Sequence, residues 1–266
     1  MAIHTLQHGT MEYLVAEGIC VPHAFTTRRG GVSAGYLAGL NLGMNRGDEP
    51  QNVAENYARL GKTLGFDAEK LVLANQVHGD FVRVVTETDN RGLDHRQYPE
   101  CDGLVTSTPG VTLVVFTADC TPILLHDPVT GAVGAVHAGW RGTALDIAGK
   151  AVRKMASEFG CRPGDIRAAI GPNIGPCCFE TDGDVPAALR ETFGPAVEEF
   201  VRPGEEKFYV NLKAINALAL RRAGVEQIEI STDCTMCSPE KYWSHRYTRG
   251  VRGSQGALIV CKGGPL

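Results

Sequence analysis

Between residues 103 and 137 four short apolar runs follow one another, at 103–107, 112–117, 122–126 and 132–137. They are rich in Val, Leu and Ile and bounded by turn-forming residues, so each reads as a buried strand. The links between them hold only a few residues, whereas parallel neighbours need a crossover of a dozen or more. This stretch must therefore pair in antiparallel or mixed fashion. Shorter strands are predicted before it, at Leu71–Leu73 and Phe81–Val85, and after it, at Gln227–Ser231 and Ala257–Cys261.

Helical periodicity surrounds the strands. Asp48-Glu-Pro50 opens a helix whose Val53, Tyr57, Leu60 and Leu64 share one face, with Gly65 at the position of a C-terminal cap. A longer helix is predicted from Thr143, with Asp146 completing a capping box. Its apolar face runs through Ala144, Ile147, Ala148, Ala151, Val152, Met155 and Phe159 to a stop at Gly160. Further helices are predicted at 184–193 and from Leu212 to Ala223. Residues 26–43 read as a Gly-rich polar loop. The pattern predicts an α+β fold with a mixed sheet or two stacked sheets. No repeat, low-complexity stretch or long linker divides the chain, so one domain over 1–266 is expected.

Two of the strands end in reactive side chains: Cys120 follows the run at 112–117, and His137 closes the run at 132–137. His78, in Asn75-Gln-Val-His-Gly79, again follows an apolar stretch. A side chain at the junction of strand and loop is held firmly yet reaches a cleft. Three descriptions fit. His78, Cys120 and His137 can form a zinc site with its fourth position open, the layout of a catalytic centre. Cys120 and His137 can form a nucleophile–base pair oriented by Asp119 or Asp102. Or they can be hydrogen-bonded histidines and a buried thiol, the simplest description on spacing alone, since the three fit no short zinc pattern.

Bulk properties narrow the classes. The chain carries 26 basic and 30 acidic residues, a net charge of −4, which argues against a nucleic-acid footprint. No apolar run approaches a membrane span, and the N-terminus lacks a signal-peptide pattern. A cytoplasmic location is expected. In that setting nine cysteines are to be read as packing groups, ligands or nucleophiles. Cys20, Cys161 and Cys261 read as small buried hydrophobes. Cys234-x-x-Cys237 is half a zinc ribbon without a second half, and the vicinal Cys177-Cys178 has the wrong spacing, so a structural zinc is not expected there.

His137-Ala-Gly-Trp-Arg141-Gly142 places a glycine-flanked Arg before a helix N-terminus, which suits phosphate or carboxylate; a surface salt bridge explains it equally well. The Gly-rich segment Ile170–Glu180 can wrap a substrate, but it is neither a phosphate loop nor a dinucleotide fingerprint. Tyr242-Trp243-Ser244-His245-Arg246 sets two aromatics beside His and Arg, to stack on a planar ligand or to pack in the core.

Taken together and in order, Phe25-Thr-Thr-Arg-x-Gly-Gly-Val-Ser33, Asn41-Leu-Gly43, Asn75–Gly79, Thr117–Ile123, His137–Gly142, Ile170–Glu180 and Ser244-His-Arg246 resemble the YfiH-like laccase-domain family, whose members have been named polyphenol oxidases and purine nucleoside phosphorylases. The resemblance implies stacked mixed sheets flanked by helices, the CNF/YfiH-like fold. It implies a metal, zinc or alternatively copper, on His78, Cys120 and His137. It also implies phosphorolysis of adenosine, inosine and methylthioadenosine, and hydrolytic deamination of adenosine, by a monomer or homodimer.

On that basis Cys120, His137 and Arg141 are the expected catalytic residues. Asn41, Arg46, Trp140, His245 and Arg246 are the expected contacts to purine nucleoside and phosphate, with Tyr242 and Trp243 as further stacking candidates. Two departures bear on substrate: many members carry Asn-Arg where this chain has Asn56-Tyr57, and Thr-Gly-Arg where it has Arg252-Gly253-Ser254. Eight histidines without a His-x-His pair exclude a true multicopper laccase and leave single-copper phenol oxidation as an alternative. A metal-free cysteine hydrolase or amidase on Cys120 and His137 is another, because the fold resembles that of a deamidating toxin with a Cys–His pair. A non-enzymatic interaction factor is the third.

Overall fold

The computed structural model describes residues 2–67 and 70–264. A hairpin of β1 (Ile3–His8) and β2 (Met11–Ala16) leads to β3 (His23–Thr26), and α1 (Pro50–Leu64) separates these from β4 (Leu71–Leu73) and β5 (Val82–Val84). The expected run follows as β6 (Gly103–Thr106), β7 (Thr112–Thr117), β8 (Thr121–His126) and β9 (Val133–Ala138). Next come α2 (Trp140–Ala144), α3 (Ile147–Phe159), β10 (Arg167–Ile170) and β11 (Glu180–Thr181). The chain continues with α4 (Asp184–Phe193), β12 (Val201–Pro203), β13 (Phe208–Val210) and α5 (Leu212–Arg222). It closes with β14 (Gln227–Ile230), α6 (His245–Thr248) and β15 (Gln255–Val260). The strands β1 to β3 escaped the sequence reading, since β1 is exposed along most of its length and carries no apolar alternation.

Two six-stranded mixed sheets form, ordered β1-β2-β3-β15-β7-β4 and β14-β10-β8-β9-β6-β5, with a small sheet β11-β13-β12 beside them. In the first, β4 runs parallel to β7 and the remaining pairs are antiparallel. In the second, β5 with β6 and β10 with β14 are the parallel pairs. The two sheets stack. Leu124, Val133 and Ala135 share one core cluster with the first sheet's Leu113, Val115 and Ile259, while Ile123, Leu125 and Val136 pack with α3 and α5. A sheet covered on both faces needs continuously apolar strands, which is why β8 and β9 are buried throughout.

β7 and β8 are consecutive in sequence yet lie in different sheets. The chain crosses between layers at Ala118-Asp119-Cys120, where Asp119 takes φ 90°, a left-handed conformation unusual for a non-glycine residue. The crossing puts Cys120 at the open end of the stack, beside the end of β9.

The long helix expected from Thr143 is interrupted. Asp146 adopts φ 58° and divides α2 from α3. The expected capping box is not made: the Thr143 hydroxyl accepts from Asn216 Nδ2 at 3.0 Å, and the Asp146 carboxylate pairs with Arg153 at 2.8 Å. The break lets the main chain turn away from β9 while α3 still lays Ile147, Ala151, Val152 and Met155 on the second sheet. At α1, Pro50 occupies the first turn and Gly65 caps at φ 72°, as the sequence predicts.

Candidate metal centre

His78, Cys120 and His137 converge as the sequence anticipates: one ligand atom from each lies within 4.8 Å of the others. Cys120 comes from the crossing between sheets, and His137 from the last turn of pleat in β9, opposite Pro122. His78 comes from the loop after β4, where its backbone is left-handed at φ 61°. The two imidazoles meet edge to face with centroids 4.9 Å apart. Gly139 closes the back of the site. A Cβ there would lie 2.7 Å from His78 Nδ1 and 3.4 Å from Cys120 Sγ, so the main chain can approach only because the residue is glycine.

Asp102 organises the three. Its fully buried carboxylate accepts from His137 Nδ1 at 2.7 Å. It also accepts the backbone N–H groups of Val77, His78 and Gly79 at 3.1, 3.0 and 2.8 Å. One carboxylate thus fixes the loop that carries one imidazole and the tautomer of the other, turning His137 Nε2 toward Cys120. Burial raises the Asp102 pKa, but the hydrogen bond and charge of His137 and the N–H donors outweigh it and keep the group below the ordinary carboxylate range. Asp119, the other candidate to orient the imidazole, instead binds the Thr235 hydroxyl at 2.6 Å and the Arg246 N–H at 2.6 Å.

Burial pushes the Cys120 thiol up, yet the charge and hydrogen bonds of His137 and His78 bring it down to about 6. Burial likewise disfavours a charged His137, and the Cys120 charge with the Asp102 hydrogen bond raises it to about 9. Two imidazoles and a thiolate form a donor set of intermediate softness. With His137 Nδ1 occupied by a carboxylate, the residues fit a tetrahedral divalent ion with three protein ligands.

The cleft over this centre has two unlike sides. One is polar and basic, lined by Arg46, Gln76, His95, Arg252 and Ser254. The other is apolar, lined by Val77, Trp140, Ile174, Phe179 and Leu212, with Arg141 at its rim. His245, Arg246 and Arg252 close the mouth between them. Ile174 and Phe179 belong to the Gly-rich segment after β10, and Arg246 lies over the Phe179 ring at 5.8 Å.

The expected substrate contacts divide accordingly. Arg46, Trp140, His245 and Arg246 line the cleft. Asn41 does not: it is fully buried, and its amide is taken by Gly43, Asp48 and Ser254. It positions the 252–254 loop. Tyr242 and Trp243 are core residues, 1% exposed each; the Tyr242 hydroxyl binds Asp233 at 2.5 Å, and Arg28 covers the Trp243 ring at 3.8 Å. Arg141 does not precede a long helix. It is the second residue of the five-residue α2, too short to sum an appreciable dipole, and it stacks on Trp140 at 4.2 Å.

Of the two departures, Tyr57 is buried in the core with its hydroxyl on Leu42 O at 3.2 Å, whereas Ser254 lines the cleft and accepts from Arg252 at 2.9 Å. The sequence reading missed Arg252 as a cleft residue, and it missed His95. Burial and the nearby Arg46 lower the Arg252 pKa to about 10, and its buried Nε has no partner among the described residues. The only local signal was an Arg at the other end of the triplet in which related chains carry one.

Elsewhere, Cys161 and Cys261 are buried as expected, whereas Cys20 is exposed. Cys177, Cys178, Cys234 and Cys237 gather into one cluster, against the expectation from their spacing. No helix among the described residues is long and apolar enough to cross a membrane.

A family model described as multi-copper polyphenol oxidoreductase laccase matches residues 22–262. A protein named purine nucleoside phosphorylase from Deinococcus radiodurans is 43% identical over 249 residues, covering 92% of this chain and 91% of its own. The crystal structure of YlmD from Geobacillus stearothermophilus superposes with a TM-score of 0.91 at 37% identity, covering 97% of this chain and 98% of that one. That of the Bacillus licheniformis hypothetical protein YfiH gives 0.92 at 34%, covering 98% and 99%.

Proposed function

The chain belongs to the laccase-like family whose model spans it, and from that premise we propose that it is a zinc-dependent purine nucleoside phosphorylase that also deaminates adenosine. The observation that carries the proposal is the placement of Arg46 and Arg252 in the same cleft as His78, Cys120 and His137. Phosphorolysis needs an anion seat beside the glycosidic carbon, and paired guanidinium groups bind phosphate oxygens through short charge-assisted bonds. Arg252 lines the cleft with its Nη1 held by Gly253 O at 3.0 Å and Ser254 Oγ at 2.9 Å, which fixes the guanidinium for that task. The apolar side, with the half-buried Trp140 and the buried Phe179, suits a purine ring.

A zinc ion, which His78, Cys120 and His137 would hold, would supply a Lewis acid beside the cleft. The chain's residues do the rest. Asp102 holds His137 in a single tautomer, Gly139 admits the three donors to close approach, and Arg46 and Arg252 neutralise the attacking phosphate. Phosphate oxygen bonds to C1′ as the bond to the base nitrogen breaks, giving the free base and a ribose 1-phosphate. Deamination at the same cleft adds water to purine C6 and releases the amino group as ammonia, which converts adenosine to inosine.

A second reading has its own observation: the Cys120–His137–Asp102 series has the order of a thiolate, imidazolium and carboxylate triad. His78 is superfluous to a triad but required for a metal, and this favours the first reading. The multicopper description of the family finds little support in eight histidines with no His-x-His pair.

The test is incubation of metal-replete protein with adenosine, with and without phosphate. Adenine formed only with phosphate and inosine formed without it support the proposal; neither product overturns it. Cys120→Ala is expected to lose the cleft metal and both activities, and full activity in that variant would exclude the zinc mechanism.

A further inference from the structure

We propose that Cys177, Cys178, Cys234 and Cys237 form a second, structural zinc site that braces the wall of the cleft. Their four sulfurs all lie within 4.8 Å of one another, with Cys237 Sγ 3.6 Å from Cys177 Sγ and 3.4 Å from Cys178 Sγ. A tetrahedron with zinc–sulfur bonds of about 2.3 Å sets its sulfurs roughly 3.8 Å apart. A disulfide needs about 2.05 Å, and all four cysteines are free. Four thiolates on one ion select zinc or iron over harder metals.

The surroundings suit an anionic metal centre. The Gly175 N–H donates to Cys234 Sγ at 3.1 Å, the kind of bond that supports a thiolate ligand. A Cβ at Gly175 would sit 3.3 Å from Cys177 Sγ and 3.5 Å from Cys234 Sγ, so the backbone wraps the sulfurs closely. Four thiols that release their protons to a divalent ion leave a net negative charge. The buried Lys213, which donates to Ser231 O at 2.8 Å and Asp233 O at 2.6 Å, lies within electrostatic reach of Cys177 and Cys234. It is placed to offset that charge.

The site joins two loops that are far apart in sequence, the one after β10 and the one after β14. The first carries Ile174 and Phe179 into the cleft. The second carries Thr235, whose hydroxyl holds Asp119 next to Cys120. The loops also meet through the Thr235 N–H to Asn173 O bond at 2.9 Å, and the first is tied to the crossing beside Cys120 by the Ile174 N–H to Asp119 O bond at 2.9 Å. A metal across the sulfurs locks this contact, which is a structural role independent of the reaction performed beside it.

The test is metal content and thiol protection in the full chain purified without chelator. Cys120→Ala is expected to retain one zinc per chain, and Cys178→Ser/Cys237→Ser to lose one relative to wild type. Cobalt loaded into Cys120→Ala should give the intense charge-transfer absorption of a tetrathiolate. Wild-type protein needs no folded variant for the remaining measurement: Cys177 and Cys237 are exposed, so they should alkylate rapidly after chelation and resist alkylation before it. Alkylation at one rate in both states, a disulfide within the four, or folded Cys120→Ala without bound zinc would each overturn the proposal.

Discussion

His137 and Asp102 stand 2.7 Å apart in the buried interior, and the carboxylate that orients His137 also gathers the backbone of the loop presenting His78. The two imidazole donors are therefore not independent. Replacing the carboxylate by an amide removes its charge, keeps one oxygen for two of the four N–H groups and turns an NH2 donor on the other two. Asp102→Asn is expected to weaken zinc binding at the His78–Cys120–His137 centre about 10- to 100-fold, measured by competition with a chromophoric chelator.

Gly139→Ala should damage the same centre from the opposite side. The added methyl meets His78 Nδ1 at 2.7 Å, well inside contact distance, and His78 must rotate or the main chain shift. A destabilisation of about 1–3 kcal/mol with loss of cleft metal is expected, read by denaturant unfolding and metal analysis. Unchanged metal content would show that His78 is not a ligand.

Arg252→Ala should act on phosphate and leave zinc in place. Loss of a charge-assisted hydrogen bond of about 1.5–3 kcal/mol lowers phosphate-dependent kcat/KM by roughly 10- to 100-fold. Arg141→Ala, at the apolar rim, should have the smaller effect. The reverse ranking would place the anion seat at Trp140 and Arg141.

In chelator-treated protein Cys120 should behave as a thiolate near neutrality. The imidazoles hold its pKa at about 6, so its alkylation rate should rise through pH 6 instead of through the ordinary thiol range near 9. Zinc should suppress the reaction at every pH. Peptide mapping of the alkylated protein reads this directly, and a midpoint near 9 would contradict the thiolate–imidazolium pairing.

Acid sensitivity should come partly from His126, at the end of β8. The residue is fully buried, and neither ring nitrogen has a hydrogen-bond partner among the described residues. Burial, with Arg167 adding to it, lowers its pKa from 6.5 to about 4. The unfolded chain therefore takes up a proton first as pH falls. The stability is fully present above pH 6.5, declines below it, and stops declining only below the folded value near 4. The shift corresponds to on the order of 3 kcal/mol. His126→Leu should flatten the urea stability profile between pH 7 and 4; an identical slope in both proteins would assign the acid limb to other groups.

Local pattern made α1, α4, α5 and most strands legible, because apolar spacing and caps at Pro50 and Gly65 act over a few residues. It failed at Asp146, where a helical apolar face continues across a break. Spacing is unaffected by one left-handed residue, whereas the hydrogen-bond ladder is cut. Tyr242 and Trp243 illustrate a different limit. An aromatic pair beside His and Arg looks the same whether it stacks on a ligand or fills the core, and only burial separates the two.

By itself the sequence marked His78, Cys120 and His137 as candidates and excluded parallel pairing of consecutive central strands. The three stand in short motifs at strand ends, and the links between those strands are too short for a parallel crossover. The tertiary structure decided what surrounds them. Asp102 reaches His137 from a separate loop, Arg252 enters the cleft from the far end of the chain, and two cysteine pairs that spacing separates meet in one cluster. Asp102 meets His137 because β6 pairs with β9, the cysteines meet because β10 pairs with β14, and Arg252 reaches the cleft because β15 lies beside β7 in the other sheet. Which layer a strand joins depends on the packing of both sheets together, and no local periodicity records it.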